Sequence, residues 1–379
     1  MKKIFCFYPH CLIKPTNSEI LVYDCLTYKS LYVQNVDLHH TDRDSLTKGY
    51  IEERDETKSF VSSCLSQNMG YYIEVGEKMP FMNDRKIKFT TSLEKEFRAL
   101  NYNLPSYTNT LLKSVAILCN NTHESKYSKI AFSQIEYPDV NSNYIDYQSL
   151  LNQFRSFPSL ERIVVAGELD TPAFYKILSY AKDNGIAVTY RIFLNSANVD
   201  MLINNLEQNE FLNIEVLVDR DSDFMKLRQH DRLYIKALIV DLNEINIFEN
   251  YENVVFVPVL ISKVQNNELL QQMIMTKEEI LAQKRSKKAC LLADYINSGA
   301  YGNITINYDL RVSCIGQQIG SIKESDLSYI INNWINNEKS MWYFKRSKKA
   351  CCSDCALTIL CPSINIYEEL GIYNRPCKI

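Results

Sequence analysis

The rhythm of apolar and polar positions changes twice along the chain and divides it into three regions. Up to about residue 85, apolar residues come in short alternating runs. Residues 4–8, 19–23 and 30–33 predict strands, and Pro15-Thr16-Asn17-Ser18 predicts a hairpin turn between the first two. Residues 57–67 predict a helix with Phe60, Val61, Cys64 and Leu65 along one side and Gly70 as its stop. From about 125 to 285 the pattern becomes strand–helix–strand. Strands are expected at 129–135, 163–166, 187–193, 214–218, 235–240 and 254–261, and helices at 147–157 and 172–184. Thr171 or Asp170 caps the second of these helices and Gly185 ends it. Continuous apolar strands alternating with helices imply a parallel sheet with covered faces. The last region, 286–379, predicts a strand pair within 301–314 and an amphipathic helix at 327–336 before a cysteine-rich tail.

Composition narrows the class. The chain has 379 residues, 46% of them hydrophobic and 23% charged, which suits a globular protein of two or three domains. A net charge of −3 gives no basic field for nucleic acid. The longest apolar run, 254–261, is eight residues and contains a proline, against the roughly 20 a membrane helix needs. No membrane association is therefore expected. The start, Met-Lys-Lys, is soon interrupted by Pro9, His10 and Lys14, and reads as a strand rather than a signal peptide. Cys6, Cys11, Cys25, Cys64 and Cys119 are scattered among apolar neighbours, the usage of a reducing cytoplasm. His10, His39, His40, His123 and His230 show no metal-ligand spacing, and ten glycines leave no phosphate loop or dinucleotide fingerprint.

The tail carries the chemistry. Of 12 cysteines, five fall in the last 29 residues. Cys352, Cys355, Cys361 and Cys377 are spaced C-x2-C-x5-C-x15-C. A C-x2-C turn brings two thiolates to one centre, and Pro362 fixes the exit of the chain after the third. A distant segment supplies the fourth. Four thiolates suit a [4Fe–4S] cluster or a structural zinc ion. Lys345, Arg346, Lys348 and Lys349 stand just upstream, either offsetting thiolate charge or simply solvated. They belong to Lys-Arg-Ser-Lys-Lys-Ala-Cys, which occurs at 284–290 and again at 345–351 and reads first as a solvated charge run.

The segment Cys-Ser-Asp-Cys…Cys-Pro-Ser…Tyr-Glu…Asn-Arg-Pro-Cys resembles the SPASM domain of peptide-maturing radical SAM proteins. It is most similar to the pseudo-radical-SAM proteins of Bacteroidales ribosomal-peptide clusters. Asp354, Leu360, Cys361, Pro362, Tyr367, Glu368, Asn374 and Cys377 stand in the matching places. The resemblance implies an α/β fold: a degenerate partial (β/α) radical-SAM-like barrel at 86–285, preceded by a winged-helix-like (PqqD-like) peptide-recognition domain at 1–85. A SPASM-like iron–sulfur domain at 286–379 would follow. It further implies one [4Fe–4S] cluster on Cys352, Cys355, Cys361 and Cys377. A second auxiliary cluster would need a cysteine where Asn365 stands; Cys290 and Cys314 lie upstream without the rest of a ligand set, and Cys351 is a spare neighbour.

Radical SAM enzymes hold their catalytic cluster with C-x3-C-x2-C on the loop after the first barrel strand. No cysteines in this chain have that spacing: Cys6 and Cys11 are too far apart, and Cys351 and Cys355 lead to Thr358. The expected first strand, 129–135, runs into Glu136-Tyr137-Pro138-Asp139-Val140. After the second strand, Ala166-Gly167-Glu168-Leu169-Asp170 resembles a degraded copy of the family's Gly-Gly-Glu-Pro. The resemblance thus implies no S-adenosylmethionine, no catalytic residue and an accessory role in ribosomal peptide maturation. The partners would be a radical SAM peptide maturase and a ribosomal precursor peptide. Two alternatives stand beside it: an enzyme using the barrel pocket with Glu168 or Asp170 as general base, and a zinc-stapled interaction protein.

Overall fold

The computed structural model describes residues 3–34, 40–74, 108–120, 136–138, 145–169, 171–194, 199–220, 230–248, 254–259, 267–373 and 377. The predicted strand at 129–135 and the residues His39, His123, Asp170 and Asn374 lie outside that set.

Six short strands build the N-terminal part: β1 (Lys3–Phe7), β2 (Cys11–Pro15), β3 (Glu19–Asp24), β4 (Ser30–Gln34), β5 (Tyr50–Glu53) and β6 (Gly70–Glu74). They form two antiparallel sheets, ordered β2-β3-β4 and β5-β1-β6. The predicted hairpin turn is real, but it joins β2 to β3 rather than β1 to β3. Pro15, expected in the turn, ends a strand, because it sits opposite Ile20 where an edge strand needs no N–H. Helices His40–Lys48 and Asp55–Ser66 pack across. The second ends on Asn68 at φ 56°, whose N–H bonds the Leu65 carbonyl while that of Met69 returns to Cys64. Gly70 is not the stop but the first residue of β6. A Cβ there would stand 2.2 Å from the Cys6 carbonyl oxygen and 2.6 Å from the Phe5 ring.

The main sheet has nine strands in the order β12-β11-β10-β9-β8-β7-β13-β14-β15. They are β7 (Ser114–Leu118), β8 (Arg162–Ala166), β9 (Ala187–Phe193), β10 (Leu212–Val218), β11 (Leu233–Ile239), β12 (Val254–Pro258), β13 (Asn303–Ile306), β14 (Arg311–Cys314) and β15 (Gln317–Ser321). β7 to β12 are parallel and in sequence order, β13 adds in parallel beside β7, and β14 and β15 fold back antiparallel. Strands that advance one place at a time, with right-handed crossovers, put every crossover helix on one face. That is the winding of a (β/α) barrel rather than of a doubly wound sheet. Alternate residues confirm it. Val115, Ile117, Ile163, Val165, Val188, Tyr190, Ile214 and Val216 pack with Leu150, Phe154, Phe174, Ile177 and Leu206 of the helices. The residues between them point to the helix-free face.

The tail and the N-terminal sheet share a core. Leu12, Leu21 and Tyr23 pack with Ile280, Cys290, Leu357, Ile359, Leu360 and Cys361. Polar ties reinforce the contact: Tyr23 Oη accepts the Arg285 N–H at 2.8 Å, and Glu19 accepts the Ala356 N–H at 3.0 Å. No described helix is long and apolar enough to cross a membrane.

Candidate metal centre

The four cysteines expected from spacing lie in one region of the tail, near enough for Cys352, Cys355 and Cys377 to act electrostatically on Cys361. Lys349 ends one 3-10 turn and opens a second, Ala350–Cys352; Cys355 then opens a third, Ala356–Ile359, which turns Cys361 back toward the first pair. Cys377 returns through a single parallel bridge to Met275. Cys352, Cys361 and Cys377 are 4%, 4% and 8% exposed, and Cys355, Cys361 and Cys377 lie in the apolar cluster shared with the N-terminal sheet. Burial pushes the Cys361 thiol up to about 12, and the other three thiols act on it electrostatically, so it stands at the centre of the group. Burial likewise raises Cys352 to about 12 and Cys355 to about 11. Thiols this hard to ionise become ligands only where a metal displaces the proton.

Four thiol donors are the chemistry that either a [4Fe–4S] cluster or a structural zinc ion takes.

The second copy of the heptapeptide is not a solvated run. Arg346 is 4% exposed and its guanidinium meets Glu368 through two bonds of 2.9 and 2.8 Å. Its Nε donates to the Pro362 carbonyl at 2.8 Å, directly after the third cysteine. Burial alone would lower the Arg346 pKa, but Glu368, with Cys361 and Cys352 behind it, raises it above the ordinary value. Lys349 also reaches Glu368, at 3.4 Å, and Lys345 donates to the Asp294 carbonyl at 2.8 Å. The first copy folds differently, with Ser286 capping the helix Lys287–Ala293. Seven identical residues thus adopt two structures, selected by what packs on them.

The remaining motif residues are framework. Asn365, where a further cluster would need a cysteine, accepts the Glu368 N–H as the cap of helix Ile366–Glu369 and donates to Tyr373 Oη at 2.6 Å. Tyr367 Oη donates to the Pro258 carbonyl and ties the tail to β12. Cys290 packs beside Cys25 in the tail cluster, whereas Cys314 lies in the main core near Trp334 and Trp342, so these two do not converge. Cys351 is exposed, its sulfur 3.7 Å from that of Cys352. His10, Cys11 and Asp24 also cluster, but Asp24 already accepts from Leu26, Thr27 and the Thr27 hydroxyl, anchoring a turn.

The first described strand of the sheet is β7, which Cys119 follows directly, while the expected strand at 129–135 lies outside the described residues. Cys119 occupies the first place of C-x3-C-x2-C, and His123 and Lys126 stand in the other two. The sequence signal for this strand is the apolar run Ser114 to Cys119, ending in two asparagines. At the end of β8, the Gly167 N–H bonds the Arg191 carbonyl at 3.0 Å, and the Glu168 N–H bonds the Asn120 carbonyl at 2.6 Å. Tyr137 stacks edge-on against Phe193 within a small apolar cluster of Leu217, Leu238, Val257 and Val259. The strand ends on the helix-free face are therefore filled by the chain itself.

Gly167 is held at φ 106°, and a Cβ there would meet the Asn120 oxygen at 2.6 Å and Pro138 Cγ at 2.7 Å. Gly167→Ala is expected to cost about 2–4 kcal/mol, the left-handed backbone and the crowding each contributing. Thermal unfolding measures it; an unchanged midpoint would mean that Asn120 and Pro138 do not close on this turn.

No protein-family model matches the chain, and no curated protein matches its sequence. Among solved structures it is similar to SuiB of Streptococcus suis bound to precursor peptide SuiA, at 12% identity over 98% of each chain with a TM-score of 0.44. SuiB bound to S-adenosylmethionine gives 12% identity over 99% of this chain and 98% of that one, TM-score 0.39. SuiB alone gives 12% over 99% and 100%, TM-score 0.39.

Proposed function

We propose that this protein is a non-catalytic accessory of ribosomal peptide maturation that carries one [4Fe–4S] cluster on Cys352, Cys355, Cys361 and Cys377. It would act with a radical SAM maturase on a precursor peptide. What supports the reading is the gathering of four cysteines in the tail, in a sequence with no C-x3-C-x2-C cysteines. The SPASM-like motif residues surround the tail cysteines. After β7, the places of the C-x3-C-x2-C spacing read Cys119, His123 and Lys126. Backbone groups that the family turns toward the methionyl amine are here bonded to Asn120 and Arg191.

The cluster would serve as a staple, and the chain's own residues do the rest. Arg346 and Lys349 place positive charge beside the thiolates, and Glu368 fixes where that charge sits. The N-terminal sheets, proposed as PqqD-like, offer β6, an outer strand among the described residues, which itself carries the exposed Tyr71 and Tyr72. An extended precursor segment would add there through main-chain hydrogen bonds.

Anaerobic purification followed by iron, sulfide and zinc analysis tests the cofactor: about four irons and four sulfides per chain are expected, and a colourless, zinc-only protein removes the proposal. Cleavage of S-adenosylmethionine by the reconstituted protein alone would overturn the non-catalytic part.

A further inference from the structure

The helix-free face of the parallel sheet holds a cavity of about 530 Å³ that the tail chemistry does not use. It is the size of a small-molecule site. Two features set it apart from the barrel mouth. It lies toward the first residues of the strands, with Ser114, Arg162 and Asn303 opening β7, β8 and β13. Tyr137 and the apolar cluster around Phe193 close the opposite end.

A row of charge crosses this face at mid-strand. Arg191 on β9 bonds Glu215 on β10 at 2.7 Å, and Lys236 on β11 bonds the same carboxylate at 2.8 Å. Two cations thus share one anion. Arg162, at the cavity's edge, makes one hydrogen bond, to the Ser114 hydroxyl at 3.2 Å, and among the described residues no carboxylate faces it. Glu136 roofs the space: it accepts the Thr305 hydroxyl, and its carbonyl accepts from Arg191. Burial pushes the Glu136 carboxyl above its ordinary range, only partly offset by Thr305 and Arg191. The cations exceed the anions, and the unused guanidinium stands where solvent can enter.

We propose that this cavity binds a carboxylate, received in a fork by Arg162 with the Arg191 guanidinium beside it. Guanidinium groups present paired N–H donors matched to carboxylate geometry. Ala116, Val164 and Ile304 give the ligand's carbon chain an apolar wall. The carboxylate belongs either to a free organic acid or to a peptide segment.

The test uses the full chain with every cysteine intact and so stands apart from the cluster assignment. Calorimetric titration with glutarate and with N-acetyl-glutamate probes the free acid. A penta-alanine with a free C terminus, against the same peptide amidated, probes the peptide source. Saturable binding of at least one carboxylate probe is expected, weakened about tenfold or more by Arg162→Gln, the loss of one charge-assisted pair. Arg162→Gln leaves the fold unstressed, since Arg162 is exposed and holds a single bond. Ala116→Leu, which narrows the cavity from its apolar side, is expected to abolish binding. No saturable binding by any probe, or equal binding by Arg162→Gln, overturns the proposal.

Discussion

Cys361→Ala is expected to empty the tail of iron and to release the C-terminal 3-10 turns before the rest of the protein unfolds. Cys361 is the thiol that faces the other three, and it is also a packing residue of the cluster that joins the tail to β2 and β3. Thiolate metal sites contribute on the order of 10 kcal/mol to the folded state of the segments they tie. Losing one of four donors removes several kcal/mol of that, and the buried side chain's packing goes with it. The tail has few alternatives for order, because its helices between residues 345 and 373 are 3-10 turns and one short helix, Ile366–Glu369. Iron and sulfide content, thermal midpoint and hydrogen exchange over 350–373 read the result. Cys352→Ala should be milder, since Cys351 holds a second thiol 3.7 Å away. A Cys361→Ala protein with full iron and the parent's midpoint would show that these thiols are not the ligands.

Much of the sheet was legible from the sequence, for a simple reason. β9 was expected at its observed bounds, 187–193, and β8, β10, β11 and β12 within three residues of theirs, because buried parallel strands write continuous apolar runs between helices. The helix Thr171–Asn184 was marked by Gly185, whose φ of 66° is the left-handed stop that glycine supplies. β7 is less legible: Ser114-Val-Ala-Ile-Leu118 is such a run, but no helical pattern precedes it to mark it as part of the strand–helix alternation. In the tail, cysteine spacing disclosed the thiol set, but nothing local tells which copy of Lys-Arg-Ser-Lys-Lys-Ala-Cys is solvated. Arg346 is buried because Glu368, 22 residues on, folds against it. The charged row on the helix-free face was equally hidden: Arg162, Arg191, Glu215 and Lys236 come from four different strands and are assembled by register alone.

Glu368→Ala is expected to destabilise the protein by about 3–5 kcal/mol, the cost of leaving a buried charge without its partner. Arg346 and Glu368 side chains are 3% and 0% exposed, and their two bonds are the planar fork that water cannot replace there. Lys349 loses its partner in the same step. In a chain of this size the midpoint should fall by roughly 5 °C. A double variant, Arg346→Met with Glu368→Leu, separates packing from charge. Apolar side chains of similar volume often replace a buried ion pair without loss, so the double variant should recover most of the midpoint. Iron should not recover with it. Arg346 is also the positive group beside Cys352 and Cys361, and neighbours of this kind typically carry ten- to a hundredfold in metal affinity. Stability returning while iron stays low would place Arg346 in the service of the thiolates. Both returning together would leave it only a structural pair. A single Glu368→Ala variant within about 1 kcal/mol of the parent would mean that the fork is solvated after all.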